Sequence, residues 1–333
     1  MTTPRCLVTG CAGFIGSRVC QLLLAAGHKV LGVDDLNEAY DPRLKQWRLD
    51  ALHPQPGFTF QKLDIADRAA LAGVFQACSA GQSSFDAVVN LAARAGVRSS
   101  LADPWIYFRT NCEATLTLLE LSRQHGVRKF VLASSSSLYG DQNPVPYAED
   151  TDTDRPLSPY AASKKAAEIT AHAYHHLYGL DVTVLRYFTV YGPAGRPDMA
   201  VFRFIRCIAE GEPIVVFGDG SQKRDFTYVD CIARGTVAAI APLGYEIINL
   251  GGDRPAKVSD VIAEIARLLG RSARIEYRPA HPADIPIAWA EIGKARELLG
   301  WSPQVSLEEG LRRSVEWYLE NRDFARGLAL GGA

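Results

Sequence analysis

No apolar run in this chain approaches the ~18 residues that a membrane-spanning helix needs. Charge of one sign is missing too. The formal net charge is −1, which leaves no electrostatic footprint for nucleic acid or an acidic membrane surface. The seven cysteines, Cys6, Cys11, Cys20, Cys78, Cys112, Cys207 and Cys231, include no Cys-x-x-Cys pair. Their odd number and irregular spacing argue against a disulfide framework and fit reduced thiols in the cytoplasm. The opening Met-Thr-Thr-Pro-Arg-Cys runs into an apolar strand without a signal-peptide pattern, so a cytoplasmic location is expected. His172, His175 and His176 share a predicted helix with no Asp or Cys at ligand spacing, so no metal is expected. Internal repeats and low-complexity tracts are absent from the sequence. What remains is 333 residues, 47% of them hydrophobic, enough for one large or two coupled domains.

The first part of the chain alternates two periods. Apolar runs at 6–9, 30–33, 87–91, 130–133 and 182–185, with a shorter one at 58–62, suit buried parallel strands. Helical patterns lie between them at 15–26, 69–80, 107–124 and 160–178. This predicts an α/β fold with a doubly wound parallel sheet. After about residue 187 the texture turns to short strands, turn-rich segments and helices at 258–269 and 307–321. The expectation is a sheet domain over 1–187, with a return segment at about 229–255. A smaller region over 188–228 and 256–326 would pack against the C-terminal edge of the sheet.

Three motifs carry chemistry. Gly10-x-x-Gly13-x-x-Gly16 follows the first strand and opens a helix. Glycines there permit a tight turn and close approach of backbone to a pyrophosphate. Free N–H groups at the helix start, around Phe14 and Ile15, then face the anion. Asp34, at the end of the second strand, is placed to hold a ribose diol and to repel a 2′-phosphate, which favours NAD over NADP. Asp64 and Ile65 close the third strand and are expected near the adenine. Leu91, Ala92 and Ala93 end the fourth with small residues beside the dinucleotide.

The second motif is Tyr160 and Lys164, at i and i+4 on one helix face. A free tyrosine, with a pKa of ~10, is a poor base; a nearby ammonium stabilises the phenolate. Lys164 can also hold the nicotinamide ribose. The third is Ser135, ending the fifth strand, whose hydroxyl can bond the reacting oxygen. A phenol, a hydroxyl and a nicotinamide site together suit moving a hydride on and off an alcohol carbon.

In these residues the chain resembles the extended short-chain dehydrogenase/reductase family, over essentially its whole length. Within it the likeness is to nucleotide-sugar epimerases, and to UDP-glucuronate 4-epimerases in particular. The blocks that carry it are Asp34-Asp35-Leu36-Asn37-Glu38-Ala39-Tyr40-Asp41-Pro42-Arg43-Leu44-Lys45, Ala92-Ala93-Arg94-Ala95-Gly96-Val97-Arg98, Arg186-Tyr187-Phe188-Thr189-Val190-Tyr191-Gly192-Pro193, Gly195-Arg196-Pro197-Asp198-Met199-Ala200 and Lys223-Arg224-Asp225-Phe226-Thr227-Tyr228. The resemblance implies a Rossmann domain with a small nucleotide-sugar region. It implies Ser135, Tyr160 and Lys164 as the catalytic set and Arg224 on the UDP phosphates. It places Asp284 on a uridine ribose hydroxyl, and Val201, Phe202 and Phe217 around the uracil. A UDP-sugar substrate, bound NAD and a homodimer follow as expectations. The dimer contact would be the helices at 107–124 and 160–178.

The chain departs from its relatives in having Asp35 where many carry Asn, and in Ala280-His281-Pro282-Ala283 before Asp284, which leaves the role of His281 open. Dehydratases on this scaffold carry an Asp-Glu pair where this chain has Ser136-Ser137, and decarboxylases a Glu at the second of these. Thr189 stands where galactose-type epimerases have Asn. Three hydroxyls around the sugar C5 substituent suit a carboxylate, hence UDP-glucuronate; the other reading is that Ser136, Ser137 and Thr189 only cap strand ends. Arg98 and Arg196 are each read as a solvated charge or a clamp on an anionic ligand, with the clamp favoured for Arg196. The alternatives are a UDP-glucose or UDP-N-acetylglucosamine 4-epimerase, or a non-catalytic NAD-binding scaffold.

Overall fold

The computed structural model describes residues 3–80, 84–280 and 284–331; the His281 question lies outside them. In chain order the first half runs β1 (Arg5–Thr9), α1 (Phe14–Ala25), β2 (Lys29–Asp34), α2 (Pro42–Leu52), β3 (Phe58–Lys62), α3 (Arg68–Ala80), β4 (Ala87–Asn90), α4 (Pro104–Tyr107), a π-helical turn (Phe108–Glu113), α5 (Ala114–Gln124), β5 (Lys129–Ser135), α6 (Pro159–Tyr178) and β6 (Asp181–Tyr187). The second half runs β7 (Thr189–Tyr191), α7 (Ala200–Glu210), β8 (Pro213–Phe217), β9 (Lys223–Arg224), β10 (Phe226–Tyr228), α8 (Val229–Ala238), β11 (Tyr245–Leu250), β12 (Ala256–Lys257), α9 (Val258–Leu269), β13 (Arg274–Arg278), α10 (Gly293–Leu299), α11 (Leu307–Glu320) and α12 (Arg322–Arg326).

Seven parallel strands form the sheet, in the order β11-β6-β5-β4-β1-β2-β3. Alternation along β1 splits the core. Cys6 and Val8 pack on one face with Val19 and Leu23 of α1. Leu7 packs on the other with α3, α5 and α6 residues such as Phe75, Leu118 and Ala167. The strand order reverses between β1 and β4, so the ends of these two strands open a crevice where doubly wound sheets bind ligands. Through α8, which packs on α1, and the edge strand β11, the chain returns to the sheet. The remaining segments build a smaller layer. In it α7, α9 and α11 pack together beside the two-stranded pairs β7/β10, β8/β13 and β9/β12.

Asp225, fully buried, pins the crossings between the two parts. Its carboxylate accepts N–H bonds from Gly252 (2.6 Å), Asp253 (3.2 Å) and Ala290 (2.9 Å). Burial pushes its carboxyl up to about 6, against the three donors that favour the charged form.

Local chemistry explains the helix that carries the chemical motif. Ser158 caps α6 by accepting from the Ala161 N–H (3.2 Å), Pro159 stands at its first position, and Gly179 ends it in the left-handed region. The helix expected over 107–124 starts earlier, at Pro104, and runs without a gap to Gln124, passing through the π turn at 108–113. Asp64 and Ile65 lie beyond β3, and Leu91 to Ala93 beyond β4, in the loops that follow those strands rather than on them.

Candidate active site

The turn after β1 has no room for side chains. A Cβ on Gly10 would lie 2.8 Å from the Ala92 nitrogen, and the residue sits at φ +68°. A Cβ on Gly13 or Gly16 would lie 2.9 Å or 2.0 Å from the Gly10 carbonyl oxygen. All three are backbone contacts, so only glycine fits. Phe14 and Ile15 start α1. The Leu91 and Ala92 N–H groups donate to Thr9 Oγ1 (3.1 and 3.0 Å), which draws the loop after β4, with Ala93, against the turn. The cradle therefore presents backbone and a helix N-terminus at the sheet's switch point, which fits a dinucleotide pyrophosphate.

Asp34 is buried at the end of β2. Its carboxylate accepts from the N–H groups of Ala12 (3.2 Å) and Leu36 (2.9 Å), and Lys45 of α2 lies 3.5 Å away. Burial raises its pKa, with Lys45 acting in the opposite direction. A fixed carboxylate beside the turn fits a ribose diol. Asp64 is held by Arg109 (2.6 Å) and the Ala66 N–H (2.9 Å), and Ile65 is buried beside it.

Across the crevice, Ser135 ends β5, and its hydroxyl bonds Ser137 Oγ (3.1 Å) and the Ser137 N–H (3.2 Å). Tyr160, in the first turn of α6, stays partly accessible, with its ring edge-on to Tyr107 at 6.1 Å. Burial raises the phenol's pKa; a hydrogen bond from Ser135 and the charge of Arg196 lower it. That changes one expectation. The ammonium of Lys164, which the i,i+4 spacing offers as the acidifying charge, donates instead to the Ala133 carbonyl (2.9 Å). Burial brings Lys164 down to about 8, with Glu168 opposing. Glu168 is itself gripped by Arg186 (3.0 and 2.8 Å) and by Ser134, all buried.

Arg196 donates to Asp198 (2.6 and 3.1 Å) and to the Ala95 carbonyl (3.4 Å), and its guanidinium lies over the Tyr40 ring at 5.2 Å. Its charge acts beside Tyr160. Ser136 and Ser137 leave the end of β5, and Thr189 follows β6. Since Ser135 and Tyr187 are register partners, the three residues follow neighbouring strands at the same edge of the sheet.

A second group forms between the loop after β4 and the small layer. Arg98 pairs with Asp284 (2.6 Å) and stacks on Phe217 at 3.8 Å. Arg224 has no ion pair among the described residues; burial lowers its pKa, with Asp284 opposing. A desolvated guanidinium without a carboxylate partner fits an anionic ligand such as a diphosphate. Phe202 does not fit the expected uracil wall. It is buried in the core with Val201, its ring 6.3 Å from Trp317 and 6.1 Å from Tyr318.

Three residues escaped the sequence reading. Asn111, buried in the π turn, bridges the Arg94 N–H and carbonyl (2.9 Å each) to Ser163 of α6 (2.9 Å). π turns occur at functional sites, but nothing in one sequence marks this one. The others are Asp225 and Arg48, both buried charges. Among the described residues no group of three or more metal-ligating side chains occurs, and no helix is long and apolar enough to cross a membrane.

Comparison with known proteins agrees with this geometry. The chain is 54% identical over 323 residues to a UDP-glucuronate 4-epimerase of Thermodesulfobacterium geofontis, covering 97% of this chain and 98% of that one. The solved UDP-glucuronic acid 4-epimerase of Bacillus cereus, in complex with UDP-glucuronic acid and NAD, superposes with a TM-score of 0.88 at 38% identity, covering 95% and 99% of the two chains. A UDP-glucose 4-epimerase of Thermotoga maritima with UDP-glucose gives a TM-score of 0.88 at 33% identity, covering 96% and 99%. The pattern of the NAD dependent epimerase/dehydratase family matches residues 6–251, so this chain belongs to that family.

Proposed function

We propose that the protein interconverts UDP-glucuronate and UDP-galacturonate by inverting C4 through a transient 4-keto sugar. The observation that carries the substrate choice is the rim of hydroxyls, Ser136, Ser137 and Thr189, at the ends of two neighbouring strands. The sugar-acid relatives in Thermodesulfobacterium and Bacillus support it.

NAD, when bound, supplies a reversible hydride acceptor for C4. The glycine turn and Asp34 would hold it. Tyr160 takes the C4 hydroxyl proton and returns it, Ser135 bonds the same oxygen, and Arg196 favours the phenolate. Lys164, which donates to the Ala133 carbonyl, would also hold the nicotinamide ribose. Arg224 would anchor the diphosphate, and Arg98, Asp284 and Phe217 the nucleoside, leaving the sugar free to turn over. With C4 at the ketone level the sugar is a β-keto acid, which loses CO₂ when its carboxylate stands perpendicular to the carbonyl plane. The hydroxyl rim would keep it near that plane.

The direct test incubates pure protein with a panel of UDP-sugars and resolves the products by NMR. UDP-galacturonate from UDP-glucuronate is expected; turnover of UDP-glucose alone would replace the assignment with a neutral hexose.

Alanine at Ser136, Ser137 or Thr189 is expected to weaken UDP-glucuronate binding by ~1.5–3 kcal/mol for each hydrogen bond lost to the carboxylate. It should also raise the share of decarboxylated 4-keto-pentose, while UDP-glucose is far less affected. Equal loss with both sugars would make these residues structural only.

A homodimer is also part of the proposal. The exposed faces of α4 and α6 carry Trp105 (83% exposed), Ile169 (59%) and Leu177 (65%), apolar surface that a second copy of the chain would cover. Light scattering at micromolar concentration should give twice the chain mass; a monomer removes the dimer.

A further inference from the structure

Arg48 is a buried cation that the proposed reaction does not use. It sits on α2, 3% exposed, with no ion pair among the described residues. One terminal nitrogen donates to the Ala12 carbonyl (3.1 Å) and the Tyr40 hydroxyl (2.8 Å). The other donates to the Ala194 carbonyl (2.7 Å). Ala12 belongs to the glycine turn. Ala194 belongs to the loop 192–198 and sits at φ +51°, a region an alanine rarely adopts. Phe14 of the turn reaches the same loop: Cβ atoms built on Gly192 and Gly195 would lie 3.5 and 3.9 Å from its ring. Two residues beyond Ala194 comes Arg196, stacked on the Tyr40 ring that Arg48 also covers at 5.6 Å.

We propose that Arg48 is a positioning residue for the reaction: it ties the dinucleotide turn to the loop 192–198 and so fixes Arg196 beside Tyr160. This deepens the epimerase reading and rests on it. A planar guanidinium can hold two carbonyls and a phenol in one fixed geometry, which a lysine cannot. Without that tie, nothing on α2 opposes relaxation of the strained Ala194, and Arg196 moves with it. Ser135 of β5, Arg196 of the loop and Tyr107 of α4 act on the Tyr160 phenol, and Lys164 lies one turn on along α6. Of these, Arg196 is the one that Arg48 reaches, through Ala194 and the Tyr40 ring.

The test compares Arg48→Lys and Tyr40→Phe with the parent protein, each with its NAD bound. For Arg48→Lys we expect bound nicotinamide per chain unchanged and UDP-glucuronate KM within threefold. We expect kcat lower by at least ~tenfold, as misplacement near the chemistry produces, and the ascending limb of the kcat–pH profile moved to higher pH. Tyr40→Phe, which keeps the ring under Arg196 and removes one bond to Arg48, should move the limb the same way by less. A uniform fall in rate with an unmoved limb, or no change, overturns the proposal, and if Arg48→Lys does not fold, Tyr40→Phe decides it alone. Phenolate absorbance of the loaded proteins, differenced against Tyr160→Phe, reads the same shift without turnover. That signal separates a failure here from a failure of the substrate assignment.

Discussion

Tyr160→Phe is expected to lower kcat by ~10²–10⁴-fold, the usual contribution of a general acid–base group. UDP-sugar affinity should stay within a few-fold. The substitution removes one hydroxyl and keeps the ring, so the edge-on contact with Tyr107 survives. The lost group acts on a proton in flight and contributes little to the ground state, which places the loss in kcat rather than in KM. Burial raises the pKa of this phenol while Ser135 and Arg196 lower it. The base form is therefore the minor one at neutral pH in the wild type, and the rate should climb as pH rises toward the phenol's pKa. The variant should lose that climb altogether. Calorimetric titration with UDP-glucuronate and an NMR rate on the same preparation check both halves. A near-wild-type rate would move the base to another group.

The sheet was legible because its strands are buried on both faces and read as unbroken apolar runs, Leu7-Val8 and Val88-Val89 among them. The catalytic helix was legible from its helical pattern at 160–178, and Ser158-Pro159 and Gly179 mark its ends in the structure. The helix α2 carried the same kind of signal, Asp41 before Pro42, with the Asp41 side chain accepting from the Arg43 N–H (3.0 Å). It still went unread, because the charged Lys45 and Arg48 stand among Leu44, Leu49 and Leu52 on its buried face and interrupt the apolar stripe. Their partners, Asp34, Ala12 and Ala194, lie on other parts of the chain, so no local pattern announces the burial. Arg196 and Lys164 illustrate the same limit within the site. Spacing put a lysine beside the tyrosine, but tertiary contacts turned it to a carbonyl and brought an arginine from a distant loop in its place. Phe202 failed the other way: an apolar residue in the expected block faces Trp317 and Tyr318 on α11, and only packing could show that.

Gly16→Ala is expected to empty the cofactor cradle. The new Cβ would stand 2.0 Å from the Gly10 carbonyl oxygen and 3.1 Å from the Cys11 Cα, both backbone. Neither neighbour has a side-chain torsion with which to move aside. Relief requires the turn to open or α1 to shift along its axis, and either separates the N–H groups of the turn from the helix start. Overpacking of this kind costs ~1–3 kcal/mol where side chains can yield and more where they cannot. A Tm fall of at least ~5 °C follows for a chain of this size. The matched control is Gly73→Ala in the interior of α3, where a Cβ meets nothing within 4 Å. There the change should be neutral or should stabilise by up to ~1 kcal/mol, since alanine is the better helix former. Nicotinamide released on denaturation separates the two. The parent and the Gly73 variant should keep their cofactor, because an epimerase regenerates it each cycle and gains nothing by releasing it. The Gly16 variant should carry less than about a tenth as much, a loss of over ~1.4 kcal/mol in binding at equal free cofactor. If it retains the parent's content, the glycine turn is a structural corner and the pyrophosphate lies elsewhere along the switch-point crevice.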